Sequence, residues 1–160
     1  MTAGTVCGYD ALDEAVGQAK RYLEDLRDGR VGPSADAETL RTRLGGRLGD
    51  AGIPADAVIR ELAANAEGGL LRSSGGRFFG WVIGGTLPAA VAADWLTSVW
   101  DQNAAAVACS PAGAVVEEIV GGWLLDLLGL PSEASFGLVT GCQAAHTTAL
   151  AAARHKLLAD

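Results

Sequence analysis

The chain has 160 residues, 49% of them hydrophobic, and a formal net charge of −7. That length and apolar content suit one ordinary domain with a sizeable core and exclude a disordered chain. Its 12 Lys and Arg are scattered and outnumbered by 19 Asp and Glu, which excludes the basic footprint of a nucleic-acid binder.

Asp10 is a good N-cap, and Leu12, Val16, Ala19, Leu23 and Leu26 recur at helical spacing before Gly29 stops the pattern. This predicts a helix with one narrow apolar seam, facing either its own domain or a second subunit. Gly29-Arg-Val-Gly-Pro-Ser34 reads as a linker. Further helices are predicted from about Asp36 through Leu44 and from about Asp56 to Asn65, each opened by an acidic residue. Residues 1–72 thus read as a helical arm, and Ser73-Ser-Gly-Gly76 marks the boundary to residues 73–160.

Beyond it, Arg77-Phe-Phe-Gly-Trp-Val-Ile-Gly-Gly-Thr86 predicts a short extended segment ending in a loop. Thr86 and Pro88 open a helix that shares Val91, Trp95, Leu96 and Val99 on one face and runs to about Asn103. Ser110-Pro111 repeats that opening, and Val116, Ile119, Val120, Trp123, Leu124, Leu127 and Leu128 follow as a wide stripe until Gly129 and Pro131. Phe136 to Val139 is the one segment that reads as a strand, and a helix follows it to the end of the chain. The 22 glycines keep no fixed period, so the chain is not collagen-like.

Cys7, Cys109 and Cys142 lie far apart without CxxC spacing, which argues against a disulfide framework and a zinc site. With no cationic leader followed by an apolar core, a cytoplasmic protein is expected. The apolar run from Trp81 to Ala93 is shorter than a bilayer needs, and Gly84, Gly85 and Pro88 interrupt it. Two histidines so far apart suggest no metal site.

Phe136 to Arg154 therefore reads as strand, Gly turn and helix in succession. Such a turn aims free backbone N–H groups at one point, with the helix dipole behind them, and makes a site for a phosphate or another anion.

The motifs Arg77-Phe-Phe-Gly-Trp-Val-Ile-Gly-Gly-Thr-Leu-Pro-Ala-Ala, Ala92-Ala-Asp-Trp-Leu, Trp100-Asp-Gln-Asn, Ser110-Pro-Ala, Glu117, Trp123-Leu, Leu127-Leu-Gly-Leu-Pro131 and Val139-Thr-Gly through Leu150-Ala-Ala-Ala-Arg-His155 follow one another in order. In that order they resemble the group II pyridoxal-5′-phosphate-dependent decarboxylases, the family of the aromatic amino acid, glutamate, histidine and tyrosine decarboxylases. The resemblance runs from about Ala11 to the C-terminus and is strongest from Arg77 on.

It implies an α/β protein: the N-terminal part of a fold-type-I pyridoxal-phosphate enzyme, mostly helical in this chain, with the first strand, turn and helix of the large domain. It implies decarboxylation of an L-amino acid by a homodimer. Gly141, Cys142 and Gln143 then hold the cofactor phosphate, and the segment with Trp81, Gly84, Gly85 and Thr86 lines the substrate end of the pocket.

No catalytic residue is assigned. Lys20 stands on the first helix and Lys156 near the end of the last, neither in the Asp- and His-rich setting of the family's Schiff-base lysine, which lies downstream of Asp160 in the family pattern. On this expectation the chain is the N-terminal portion of the enzyme and inactive alone. Two other readings stand beside it: a non-catalytic dimerisation fragment, and an aminotransferase on the same fold.

Individual residues keep alternatives open. Cys142 is either a reactive thiol or a small residue that lets the backbone approach a ligand. His146, where relatives often carry Asn or Thr, either reaches the cofactor or partner or is a satisfied structural histidine; His155 near the helix end suits the dipole. Glu117 and Glu118 read as a solvated face, Phe79 as core, and Trp81 as core or specificity residue.

Overall fold

The computed structural model describes residues 9–47 and 49–159. Among them it contains six helices and no strand: α1 (Asp10–Asp25), α2 (Ala37–Leu44), α3 (Ala55–Ala66), α4 (Pro88–Trp100), α5 (Pro111–Leu127) and α6 (Cys142–Ala159). The chain divides into two units, Met1–Val91 and Ala92–Asp160.

In the first unit α1 and α2 both pack on α3. Val16, Ala19 and Tyr22 of α1 and Leu26 just past its end are half-buried, as are Ile59 and Ala63 of α3. Arg60 of α3 bonds Asp56 one turn back at 2.8 Å and reaches Glu14 of α1 at 3.4 Å. Exposed pairs of this kind contribute little each, about 0.2–1 kcal/mol, so they set register more than stability.

The segment expected to be a linker is tied down. The N–H groups of Ser34 and Ala35 both donate to the Gly68 carbonyl, and Arg72 N–H donates to the Val31 carbonyl. Gly68 has φ +81, a left-handed conformation that favours glycine. At the end of α1 the Tyr22 hydroxyl donates to the Leu71 carbonyl at 2.7 Å. The Arg72 guanidinium lies 4.7 Å over the Tyr22 ring and pairs with Asp25.

Tyr9, not Asp10, stands at the N-cap position of α1, and no side chain caps that helix; Asp10 and Asp13 fall in its first turn, where negative charge suits the dipole. Asp36 caps α2 as its sequence predicts, accepting from Thr39 N–H at 2.8 Å.

In the second unit Ser110, 1% exposed, caps α5 by accepting from Gly113 N–H at 3.2 Å. The helix ends in a Schellman turn: Leu130 N–H donates to the Leu125 carbonyl and Gly129 N–H to that of Asp126, with Gly129 at φ +63. Among the described residues no two of α4, α5 and α6 pack on one another.

The expected α/β architecture is therefore corrected: the described chain is all-helical. Phe136 to Val139 forms no strand, because a strand exists only through ladder bonds to a second one and nothing described here pairs with it. A side chain holds this segment instead. The Phe136 ring lies on Gly121 of α5, so close that a Cβ there would stand 1.9 Å from the ring.

The apolar stripes lack cover. Among the described residues no hydrophobic one is buried; Trp123 is 70% exposed and Leu127 78%. Total accessible area is 13230 Å². A folded domain of this mass exposes roughly 7500 Å², and two separately folded halves roughly 9000 Å².

The Asp36 cap predicts a pH response. Its bond from Thr39 holds the Asp36 carboxyl below the usual carboxylate value. A depressed folded-state pKa stabilises above the unfolded value, and that stability is lost as pH falls through the lowered one. Acidification through the carboxylate range should therefore weaken α2, measured by amide exchange at Leu40. In Asp36→Asn the share of that pH dependence due to residue 36 should vanish.

Candidate functional site

The expected phosphate turn lies in the second unit and the expected substrate segment in the first, so each is described by itself.

At the turn, α6 begins at Cys142 and Gly141 stands at the N-cap position, its carbonyl accepting the first helical bond from Ala145 N–H at 3.0 Å. Among the described residues no acceptor bonds the N–H groups of Cys142, Gln143 and Ala144. Helix geometry aims these three donors past the end of the helix. No acidic residue stands in the first turn of α6 to compete for them. A Cβ built at Gly141 meets nothing within 4 Å, so the approach is open. The amides of Cys142 and Gln143 thus come together with that of Ala144 past the open Gly141, and Gly141, Cys142 and Gln143 are all exposed.

The sequence did not single out the Ala144 amide, although any third residue of a helix start supplies one. Nor did it pair Cys142 with His146. The Cys142 sulfur lies 3.6 Å from Nε2 of His146 and 4.0 Å from Nδ1. The spacing of four residues on a helix was the signal available.

In the substrate segment, Trp81 and Val82 both adopt left-handed backbone, φ 57 and 54. This is uncommon outside glycine and costs on the order of 1–3 kcal/mol per residue, most for a β-branched side chain. The expected extended run is thereby replaced with a tight turn at Trp81-Val82, where the Trp81 ring meets Phe78 edge-on at 5.8 Å. Trp81, Gly84, Gly85 and Thr86 are all exposed. Phe79, read as core, is 93% exposed. Gly84 has open space where a Cβ would stand, and one on Gly85 would meet the Ser74 carbonyl at 3.4 Å. A third left-handed non-glycine residue among those described, Asp101 with φ 45, falls inside Trp100-Asp-Gln-Asn103. Left-handed non-glycine backbone thus falls inside two of the motifs that carry the resemblance.

Three clefts of about 580, 440 and 750 Å³ lie in the first unit, around α1. None of these three includes a residue of the phosphate turn or of the substrate segment. Among the described residues no group of three or more His, Cys, Asp or Glu is placed to hold a metal ion. No helix among them is long and apolar enough to cross a membrane.

Compared with known proteins, the chain matches no family model, no curated protein and no solved structure.

Titrating the chain with inorganic phosphate while following amide chemical shifts should move Cys142, Gln143 and Ala144 first. Gln143→Glu places a like charge at the turn and should weaken binding about fivefold, the weight of roughly 1 kcal/mol. Shifts confined to other residues would refute the site.

Proposed function

We propose that this chain carries the cofactor-phosphate anchor of a pyridoxal-phosphate-dependent carboxy-lyase that decarboxylates an L-amino acid as a homodimer. The observation that supports this most is the start of α6: three unbonded amides over an open Gly141, at the turn where the motif order leads one to look for them.

The residues present fit the phosphate end of the cofactor. A dianion there accepts from the Cys142, Gln143 and Ala144 amides, is favoured by the dipole of an 18-residue helix, and meets no carboxylate in the first turn. When bound, pyridoxal phosphate supplies the electron sink for the charge left as CO₂ departs. The chain's own contribution at this turn is to bind and orient. The Trp81 to Thr86 segment, with its exposed indole and paired glycines, suits contact with a substrate side chain.

The Schiff-base lysine is not among these residues on this reading. Lys156 stands in the last turn of α6, roughly 21 Å along the axis from the phosphate turn at about 1.5 Å per residue. That separation exceeds what the cofactor and a lysine side chain span together. Lys20 stands within α1, in the other unit.

One observation favours a second reading. Helix packing among the described residues is confined to α1, α2 and α3, which suits a non-catalytic dimerisation segment.

Incubating the 160-residue chain with pyridoxal phosphate and then borohydride should leave no pyridoxyl group on Lys20 or Lys156 by mass spectrometry. A stable adduct on either would overturn the assignment of the lysine elsewhere. The complete protein that contains these residues should release CO₂ from an L-amino acid. Amino transfer to a 2-oxo acid without CO₂ release would replace the lyase with an aminotransferase, and no turnover of either kind would favour the dimerisation segment.

A further inference from the structure

We propose that the cleft between the end of α1 and the turn at Ser74 to Arg77 binds a small organic monocarboxylate, gripped by Arg27 and Arg77. The two cations lie far apart in sequence, and the first unit brings both to one cleft of about 580 Å³. That volume suits a small-molecule site. Arg21, Arg60 and Arg72 of the same unit are each committed to a carboxylate, of Glu14, Asp56 and Asp25. Arg27 has no hydrogen bond or ion pair among the described residues, and the Arg77 side chain donates only to the Gly29 carbonyl. That bond fixes Arg77 at the cleft and leaves the rest of its planar fork free.

The walls are preformed. The Tyr22 hydroxyl donates to the Leu71 carbonyl and Arg72 N–H to that of Val31, which tie the chain ahead of the turn to α1 and the loop beyond it. Gly75 N–H donates to the Arg72 carbonyl and Phe78 N–H to that of Gly75, which folds the turn. A Cβ at Gly75 would stand 2.9 Å from the Leu26 carbonyl oxygen, so the turn's backbone lies directly on the end of α1. Gly76 has open space where its Cβ would stand, which leaves the mouth clear.

Charge selects the ligand. Two guanidinium groups against one lining carboxylate, Asp28, leave the cleft with a net +1 in a chain of −7. The C-terminal end of α1 adds about half a negative charge, so the balance stays positive. One carboxylate matches it and fits the fork of an arginine in two parallel bonds. A phosphate dianion overshoots the charge, and a second carboxylate would meet Asp28. Leu23 and Leu26 supply an apolar wall for the body of the ligand. No residue of α6 takes part, so this site does not rest on the function proposed above.

Benzoate is the probe, followed by amide chemical shifts in the 160-residue chain. It should move Leu26, Arg27, Asp28 and Gly76 saturably, and benzamide, with the same body and no charge, should not. Inorganic phosphate should bind this cleft more weakly than benzoate. Arg27→Gln removes a side chain that bonds nothing, so the fold should be unchanged while benzoate binding weakens about fivefold. Arg41→Gln, on α2 and outside the cleft, should leave it unaltered. An equal response to benzamide, or affinity indifferent to Arg27→Gln, would overturn the site, and tighter binding of phosphate would overturn the choice of a monocarboxylate. Benzoate shifts confined to Cys142, Gln143 and Ala144 would overturn it too, while leaving the anion site at α6 standing.

Discussion

Apolar side chains gain from burial only when another surface excludes water from them, and in this chain that condition is met unevenly. Around α3 it is met in part. The half-buried faces of α1 and α2 approach α3, Tyr22, Arg72 and Asp25 tie the loop after α3 to α1, and Arg60 bridges α3 to α1. In the second unit the stripe of α5 has no helical partner among the described residues, and Trp123, Leu127 and Leu128 remain largely open. Full burial of each such side chain is worth about 1.5–3 kcal/mol. An apolar surface laid over α4, α5 and α6 would therefore contribute more to their stability than any hydrogen bond within them.

What holds the second unit without such cover is local. Ser110 caps α5, Gly129 closes it, and the Phe136 ring on Gly121 fixes the segment that leads to α6. These contacts set where α6 begins, and hence where its three unbonded amides point. Helix-start geometry alone would be an ordinary feature of any protein. Here it coincides with the turn singled out by the order of surrounding motifs, and left-handed backbone at Trp81, Val82 and Asp101 lies within two of those motifs.

Much of this was legible in the sequence because it is written in local chemistry. The Asp36 cap, the Ser110-Pro111 opening and the Gly129 stop each act within four or five residues, and each stands where the pattern puts it. The strand at Phe136 to Val139 was misread because its apolar and aromatic character reports burial potential, not a pairing partner, and a ladder needs one. Phe136 instead spends its ring on Gly121, a contact between positions fifteen apart that no periodicity reveals. The Cys142–His146 contact was within reach of simple helical spacing, and the left-handed turn at Trp81-Val82 was not, since neither residue type favours that backbone. At the candidate site the free amides of Cys142 and Gln143 were legible, and that of Ala144 was not singled out.

The first turn of α6 is proposed to anchor the phosphate of pyridoxal phosphate. The most direct measurement is a crystal structure of the complete protein that contains these residues, grown with the cofactor. The account predicts phosphate oxygens at about 3 Å from the Cys142 and Gln143 amide nitrogens. A cofactor phosphate bound elsewhere, with those amides turned to solvent, would contradict it.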